Sequence, residues 1–287
     1  MEIIESLRLK KVRFYFKLIR WNNMLIGSAA VFVTGFLLNS NNYYLLTICS
    51  LETMLIMALG NLTNDIVDQK ADKINHPNRV LVNNFLSLKE VRFFQKTLIL
   101  LIAIISFQMN YLCIILIYSF ILPLLFLYNY YFKNIILIGN MVTAFLLGFV
   151  FVFSEIALTK HVSISLIPFV LAFNLSIIRE VIKDLQDYPG DFKHNIKTLA
   201  VLFGRQKTSK YLAIYIMHCL VLFILPYVYG FYGKLYLISL IFCIEIPLIY
   251  SVFLLLKLKT RPNFMHLSFL YKILSVLGLV VILLSKG

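Results

Sequence analysis

The sequence predicts an all-α, polytopic membrane protein of nine transmembrane helices folded as one domain, residues 1–287. Three observations predict it. Hydrophobic residues make up 61% of the chain and charged residues 14%, with a mean hydropathy of +0.87; soluble domains are roughly 25% charged. Stretches of about 20 apolar residues, enough to cross a hydrocarbon core of about 30 Å, follow one another almost without a break. Only two connections, about 65–92 and 184–210, are long, and both are densely charged.

In chain order, the first segment (1–20) is basic and amphipathic, with Phe14, Phe16, Leu18 and Ile19 among Lys10, Lys11, Arg13, Lys17 and Arg20. It lacks the short apolar core and small-residue cleavage site of a signal peptide and is expected to lie along the membrane surface. Apolar runs follow at about 22–40, 44–64, 93–109, 111–131, 135–155, 163–183, 211–230, 234–256 and 265–285. Each is expected to be helical, because backbone groups cannot stay unpaired in lipid. Short turns marked by Asn, Gly, Pro or Lys join most of them.

The net charge of +14 would suit a nucleic-acid partner if the cations were spread over a soluble surface. They are not. With the basic N-terminus on the cytoplasmic side, parity puts both long loops, Lys133 and the Lys257, Lys259 and Arg261 cluster on that side. Lys160, Lys234 and Lys286 are left on the other. This is the positive-inside pattern, so membrane lipid and no nucleic acid is the expected surrounding. The asymmetry and the absence of a transit-peptide pattern suggest a bacterial or archaeal inner membrane. Cys49, Cys113, Cys219 and Cys243 fall inside apolar runs without metal-ligand spacing, so they are expected to be small buried residues.

The chemistry concentrates in the two long connections. The first opens with Asn61, Asn64, Asp65, Asp68 and Asp72, the second with Arg179, Glu180, Lys183, Asp184, Asp187 and Asp191. The same D-x2-D-x3-D spacing occurs at 65/68/72 and at 184/187/191, and steps of three and four place such residues on one helix face. Seven of the 13 acidic residues lie here, although carboxylates at a membrane helix end repel one another and resist dehydration. Hard oxygen ligands in a phosphate setting point to Mg²⁺. The four spans between the runs return them to one side of the membrane, where they can share a cavity. Arg20, Arg79 and Lys133, each in a short polar segment, are candidates to bind diphosphate. Tyr118, Phe120, Phe126, Tyr128, Tyr130 and Tyr131, on the fourth span and its exit, are the first candidates for an aromatic wall that stabilises a cation. Glu52, Glu155 and Glu245 are acids within apolar spans, with Glu52 expected to border the cavity and Glu155 to reach an interface.

Asn64-x3-Asp68-x3-Asp72 paired with Asp187-x3-Asp191 resembles the paired motifs of the UbiA superfamily of intramembrane prenyltransferases. The likeness extends to Arg20-x2-Asn23, to Ile74 through Arg79, to Lys133 with Gly139-Asn140, and to Lys197 through Gly204. Asn75 to Arg79 and Arg179-Glu180 with Lys183-Asp184 look most like its ether-lipid branch. The resemblance implies a central cavity open to lipid and capped by the two loops. It implies Mg²⁺ held by Asn64, Asp68, Asp72, Asp187 and Asp191, and a prenyl diphosphate neutralised by Arg20, Arg79, Lys133 and Lys197. Asn61, Asp65, Glu180 and Asp184 would support the ligands, and Asp68, Asp72, Asp187 and Asp191 would be catalytic. The implied reaction moves a geranylgeranyl group to geranylgeranylglyceryl phosphate. Arg20-Trp21 and Val80 to Asn84 depart from the family's usual Arg-Pro and Pro-x-Ser-Gly, and both departures concern the acceptor pocket. An aromatic quinone or haem precursor is the rival acceptor, and a cation-coupled transporter the rival of another class, which would place its carboxylates near the midplane. A CDP-alcohol phosphotransferase would need a longer, single aspartate signature than the chain contains.

Overall fold

In a computed structural model of the protein, residues 2–257 and 261–286 are described, with the side chains of 2–10, 261 and 262 set aside. Lys259 lies outside these residues. The described chain is helical and contains no strand. The amphipathic N-terminal segment forms α1 (Glu2–Ile19). It is tied to protein by the Phe14–Phe85 stack (4.4 Å) and by the ion pair of Lys11 with Glu90 (2.7 Å).

Each expected span falls on a helix. These are α2 (Trp21–Leu37), α3 (Tyr43–Val67), α5 (Leu88–Ser106), α6 (Tyr111–Tyr130), α7 (Ile138–Thr159), α8 (Leu166–Lys193), α9 (Leu199–Val228), α10 (Lys234–Lys257) and α11 (Arg261–Leu283), with the short α4 (Gln69–Asn75) after α3. Six of them, α3, α6, α7, α9, α10 and α11, are long and apolar enough to cross a membrane. The protein is therefore an integral membrane protein by composition and length. Of the others, α2 has 17 residues, α5 carries charge in its first turns, and the last turns of α8 hold the second aspartate run.

Helix ends are set by local chemistry. Ser87 and Glu90 form a reciprocal capping box at the start of α5. Glu155, fully buried near the end of α7, accepts hydrogen bonds from the backbone N–H groups of Ser163, Ile164 and Ser165 and from both serine hydroxyls. Its charge thus faces the positive N-terminal end of α8. It closes a turn and leaves no free carboxyl at an interface.

The second long connection is much shorter than expected. α8 runs on to Lys193 and α9 starts at Leu199, so the loop shrinks to 194–198, with a second break inside α9 at Gly204 (φ 75°), where two helical pieces meet at a kink. The aspartate spacing that reads as a polar loop is a helix face, and the stop comes at Asn195 in the left-handed region (φ 55°). The Ile196 N–H donates to the Asp191 carbonyl (2.9 Å) and the Asn195 N–H to that of Phe192 (3.3 Å), which is a Schellman ending. In the first connection, too, helix extends to Asn75, with a single break at Asp68.

Two buried cores form. One joins α1, α2, α3, α5, α6 and the outer end of α7, the other Ala144 of α7 and α8 to α11. At Gly148 a Cβ would stand 2.9 Å from the Phe169 carbonyl, so α7 and α8 meet almost backbone to backbone. Ala30, Val33, Leu37, Phe151 and Ile282 pack a third, small cluster. It joins α2, α7 and α11 toward the end of the bundle opposite Arg20. Between the cores lies a cavity of about 510 Å³. The four cysteines are free, three of them buried, as expected of small apolar residues.

Candidate active site

Every candidate site residue except Asp65 lines that cavity. Arg20 sits at the α1–α2 junction in the left-handed region (φ 54°), a conformation that costs energy for a side chain with a Cβ. The bend turns its guanidinium onto Asp65 Oδ1 (2.6 Å) and Asn61 Oδ1 (3.3 Å). Asn61 in turn donates to the Ile19 carbonyl (2.9 Å) and fixes the junction. Arg79, from the loop after α4, donates to Asp65 (2.9 Å) and to Asp72 (2.5 Å). Asp65 therefore lies beneath two guanidinium groups and orients them. Lys133, in the turn between α6 and α7, donates to Asn64 Oδ1 (3.1 Å) and pairs with Asp68.

The second run faces the first. Asn140, near the start of α7, donates to Asp184 Oδ2 (2.9 Å). His76 Nε2 stands 3.2 Å from Asp187 Oδ2. Asn75 donates to Asp191 Oδ1 (3.3 Å) and accepts from the Gly190 N–H (2.9 Å). Asn75 and His76 thus tie the end of α4 to the end of α8, and Asp68 and Asp191 border the same cavity. Lys197, exposed at the mouth, lines it as well. Glu180 is buried and accepts from Arg179 (3.1 Å) and Lys183 (2.7 Å).

Beyond the spans, burial raises two carboxyls. Asp72 is pushed up to about 6 by desolvation, against the pull of Arg79. Asp191, past the expected end of its span, is pushed up to about 8 by burial and by the Asp184 and Asp187 carboxylates beside it. Such groups accept a cation readily, because it replaces a proton.

The sequence signature of the UbiA prenyltransferase family matches residues 24–273. This chain belongs to that family. UbiA membership makes it a prenyltransferase. It is 36% identical to the digeranylgeranylglyceryl phosphate synthase of Methanococcus aeolicus, over 86% of this chain and 88% of that one. It is similar to a solved structure of a digeranylgeranylglyceryl phosphate synthase, with 29% identity, a TM-score of 0.71 and coverage of 96% of this chain and 98% of that one. It also shares the fold of a UbiA homologue from Archaeoglobus fulgidus bound to GPP and Mg²⁺ (16% identity, TM-score 0.67, 94% and 99% covered).

The donor set of this UbiA protein suits a hard divalent ion. Its oxygens come from carboxylates and one amide on two facing helix ends. Among the described residues no three acidic, histidine or cysteine side chains form a ready cage. Mg²⁺ commonly takes one or two carboxylates and completes its shell with water and substrate phosphate, so an open pair from each run fits.

Two expectations are corrected. Glu52 is fully buried but absent from the cavity wall, where Thr53, Ile56 and Met57 of the same helix stand instead. It sits one helical step off that face. Of the six aromatic residues proposed on and after the fourth span only Tyr128 lines the cavity; Tyr118, Phe120, Tyr130 and Tyr131 are exposed on the outside. The aromatic wall comes from Phe149, Phe151 and Phe153 of α7, Phe223 of α9 and Tyr236 of α10. Lys272 of α11 also lines the cavity and was not anticipated. The signal was present, since a lysine within an apolar span marks a functional position by default.

Proposed function

We propose that the protein transfers a geranylgeranyl group from its diphosphate to the free hydroxyl of geranylgeranylglyceryl phosphate, making a diether lipid. The observation that carries this reading is the meeting of two aspartate runs, clamped by Asn75 and His76, over one apolar cavity. Relatives matching most of the chain are digeranylgeranylglyceryl phosphate synthases, which supports this acceptor. The site is assigned to the cytoplasmic face of a prokaryotic cell membrane, in a bundle of nine spans.

Mg²⁺, when bound, supplies charge that offsets the diphosphate as it departs. Asp68 and Asp72 with Asn64, and Asp187 with Asp191, are the residues that would hold it. Arg20, Arg79, Lys133 and Lys197 face the leaving group, and Asp65 positions the two arginines. Asp184 and Glu180 hold Asn140 and the Arg179–Lys183 pair in place. The allylic C–O bond breaks with its electron pair leaving on diphosphate. The walls around Phe149, Phe153 and Tyr128 keep water from the cation, and the acceptor hydroxyl oxygen forms the new ether bond and releases its proton.

The test is mass spectrometry of products from membranes supplied with geranylgeranyl diphosphate and, separately, the lipid acceptor or an aromatic precursor. A diether phosphate is expected. Prenylated aromatic product alone would overturn the lipid assignment.

A further inference from the structure

Below the aspartates the cavity carries a second group of cations. Arg179 lies 12 residues before Asp191 on α8, about 18 Å along the helix. Lys272 stands on α11, in a span of mean hydropathy 2.4, and both line the cavity wall. The helices that carry them, α8 and α11, pack against each other. Lys183, one turn from Arg179, lines the same wall, as do Ser176 and Ser275, each three residues from one of these cations.

The charges here do not balance. At the mouth, Arg20, Arg79 and Lys133 each hold an aspartate. Deeper in, Arg179 and Lys183 share the single carboxylate of Glu180, and Lys272 pairs with no carboxylate among the described residues. Even with Asp184, whose carboxyl Asn140 holds, counted against them, three cations face two carboxyls and a net positive charge remains. In an apolar span that excess is costly without a partner. A phosphate monoester carries a charge of about −1.5 to −2 near neutral pH and offers three acceptor oxygens.

We infer that Arg179, Lys183 and Lys272 form a subsite for the phosphate monoester of the acceptor, separate from the diphosphate site at the aspartates. The inference rests on the acceptor proposed above and names what would select it. With its phosphate held here, the acceptor has its hydroxyl turned toward the aspartates. An acceptor lacking the phosphate leaves the deep cations unpaired.

The experiment compares geranylgeranylglyceryl phosphate with phosphate-free geranylgeranylglycerol as acceptors for the purified protein in lipid nanodiscs. The wild type is expected to favour the phosphate form by about 100-fold in kcat/KM. Lys272→Met and Arg179→Gln should raise the KM for the phosphate acceptor about 10-fold or more and erase most of that preference. The donor KM should stay within about twofold, and Lys272→Arg should retain the preference. In the wild type, glycerol phosphate should compete with the acceptor and not with the donor, a readout that needs no variant. Preference unchanged in Lys272→Met, or a rise confined to donor KM, overturns the subsite while leaving the proposed reaction standing. A wild type that prenylates only aromatic compounds removes both.

Discussion

Gly190 faces Asn75 so closely that an added Cβ would come within 2.5 Å of its Nδ2 atom. Gly190→Ala is therefore expected to push Asn75 off Asp191, at a cost of about 1–3 kcal/mol, as other overpacked sites do. Turnover should fall while membrane insertion is kept, measured by initial rates and by detergent-extracted yield. Asp68→Ala and Asp191→Ala should each reduce turnover below about 1% of wild type without loss of insertion; full activity in either would remove the proposed metal role. Because burial raises Asp72 to about 6 and Asp191 to about 8, protons occupy these carboxyls at lower pH and must leave before a cation binds. Apparent Mg²⁺ affinity is thus expected to rise as pH increases from about 6 to about 8, read from Mg²⁺ titrations of activity across that window. Steps of three and four made the aspartates legible in the sequence, because that spacing is a helix face. Asn75 and His76 could be quoted but given no role, since their partners lie 116 and 111 residues away, a distance no local pattern encodes.

At the level of helices, composition located each apolar segment, while polar segments were read as loops where the chain remains helical. The last turns of α8 are the clearest case. Their aspartates satisfy helix geometry on one face, and tertiary contacts from Asn75, His76 and Asn140 stabilise them there. Aromatic content misdirected the wall assignment for a related reason: rings on a membrane helix face lipid as readily as a cavity, and only packing decides. Glu155 shows a buried carboxylate with a structural task. Glu155→Gln should replace one acceptor oxygen by an NH₂ group among donors, destabilising the α7–α8 turn by about 1–3 kcal/mol. A lower Tm in detergent with a retained donor KM would be the expected reading.

Across the whole molecule, the ends of α3, α4 and α8 and the starts of α2 and α7 gather their polar groups at one pole of the bundle. Single cysteines introduced at Ser87 and Asn195 should both react with an impermeant thiol reagent from the cytoplasmic side, and one at Ser40 from the opposite side. Labelling of Ser87→Cys and Asn195→Cys from different sides would contradict the shared pole. This much was foreseeable, since hydropathy and the count of intervening spans need no contact information. The clamp across the seam was not. The salt links of Arg79 and Lys133 have one more consequence. Arg79 and Lys133 are already paired with aspartates, so these side chains reach toward phosphate oxygens when another cation takes over those aspartates. Loading is then an exchange of partners at nearly constant local charge, and by reciprocity each ligand should tighten the hold on the other.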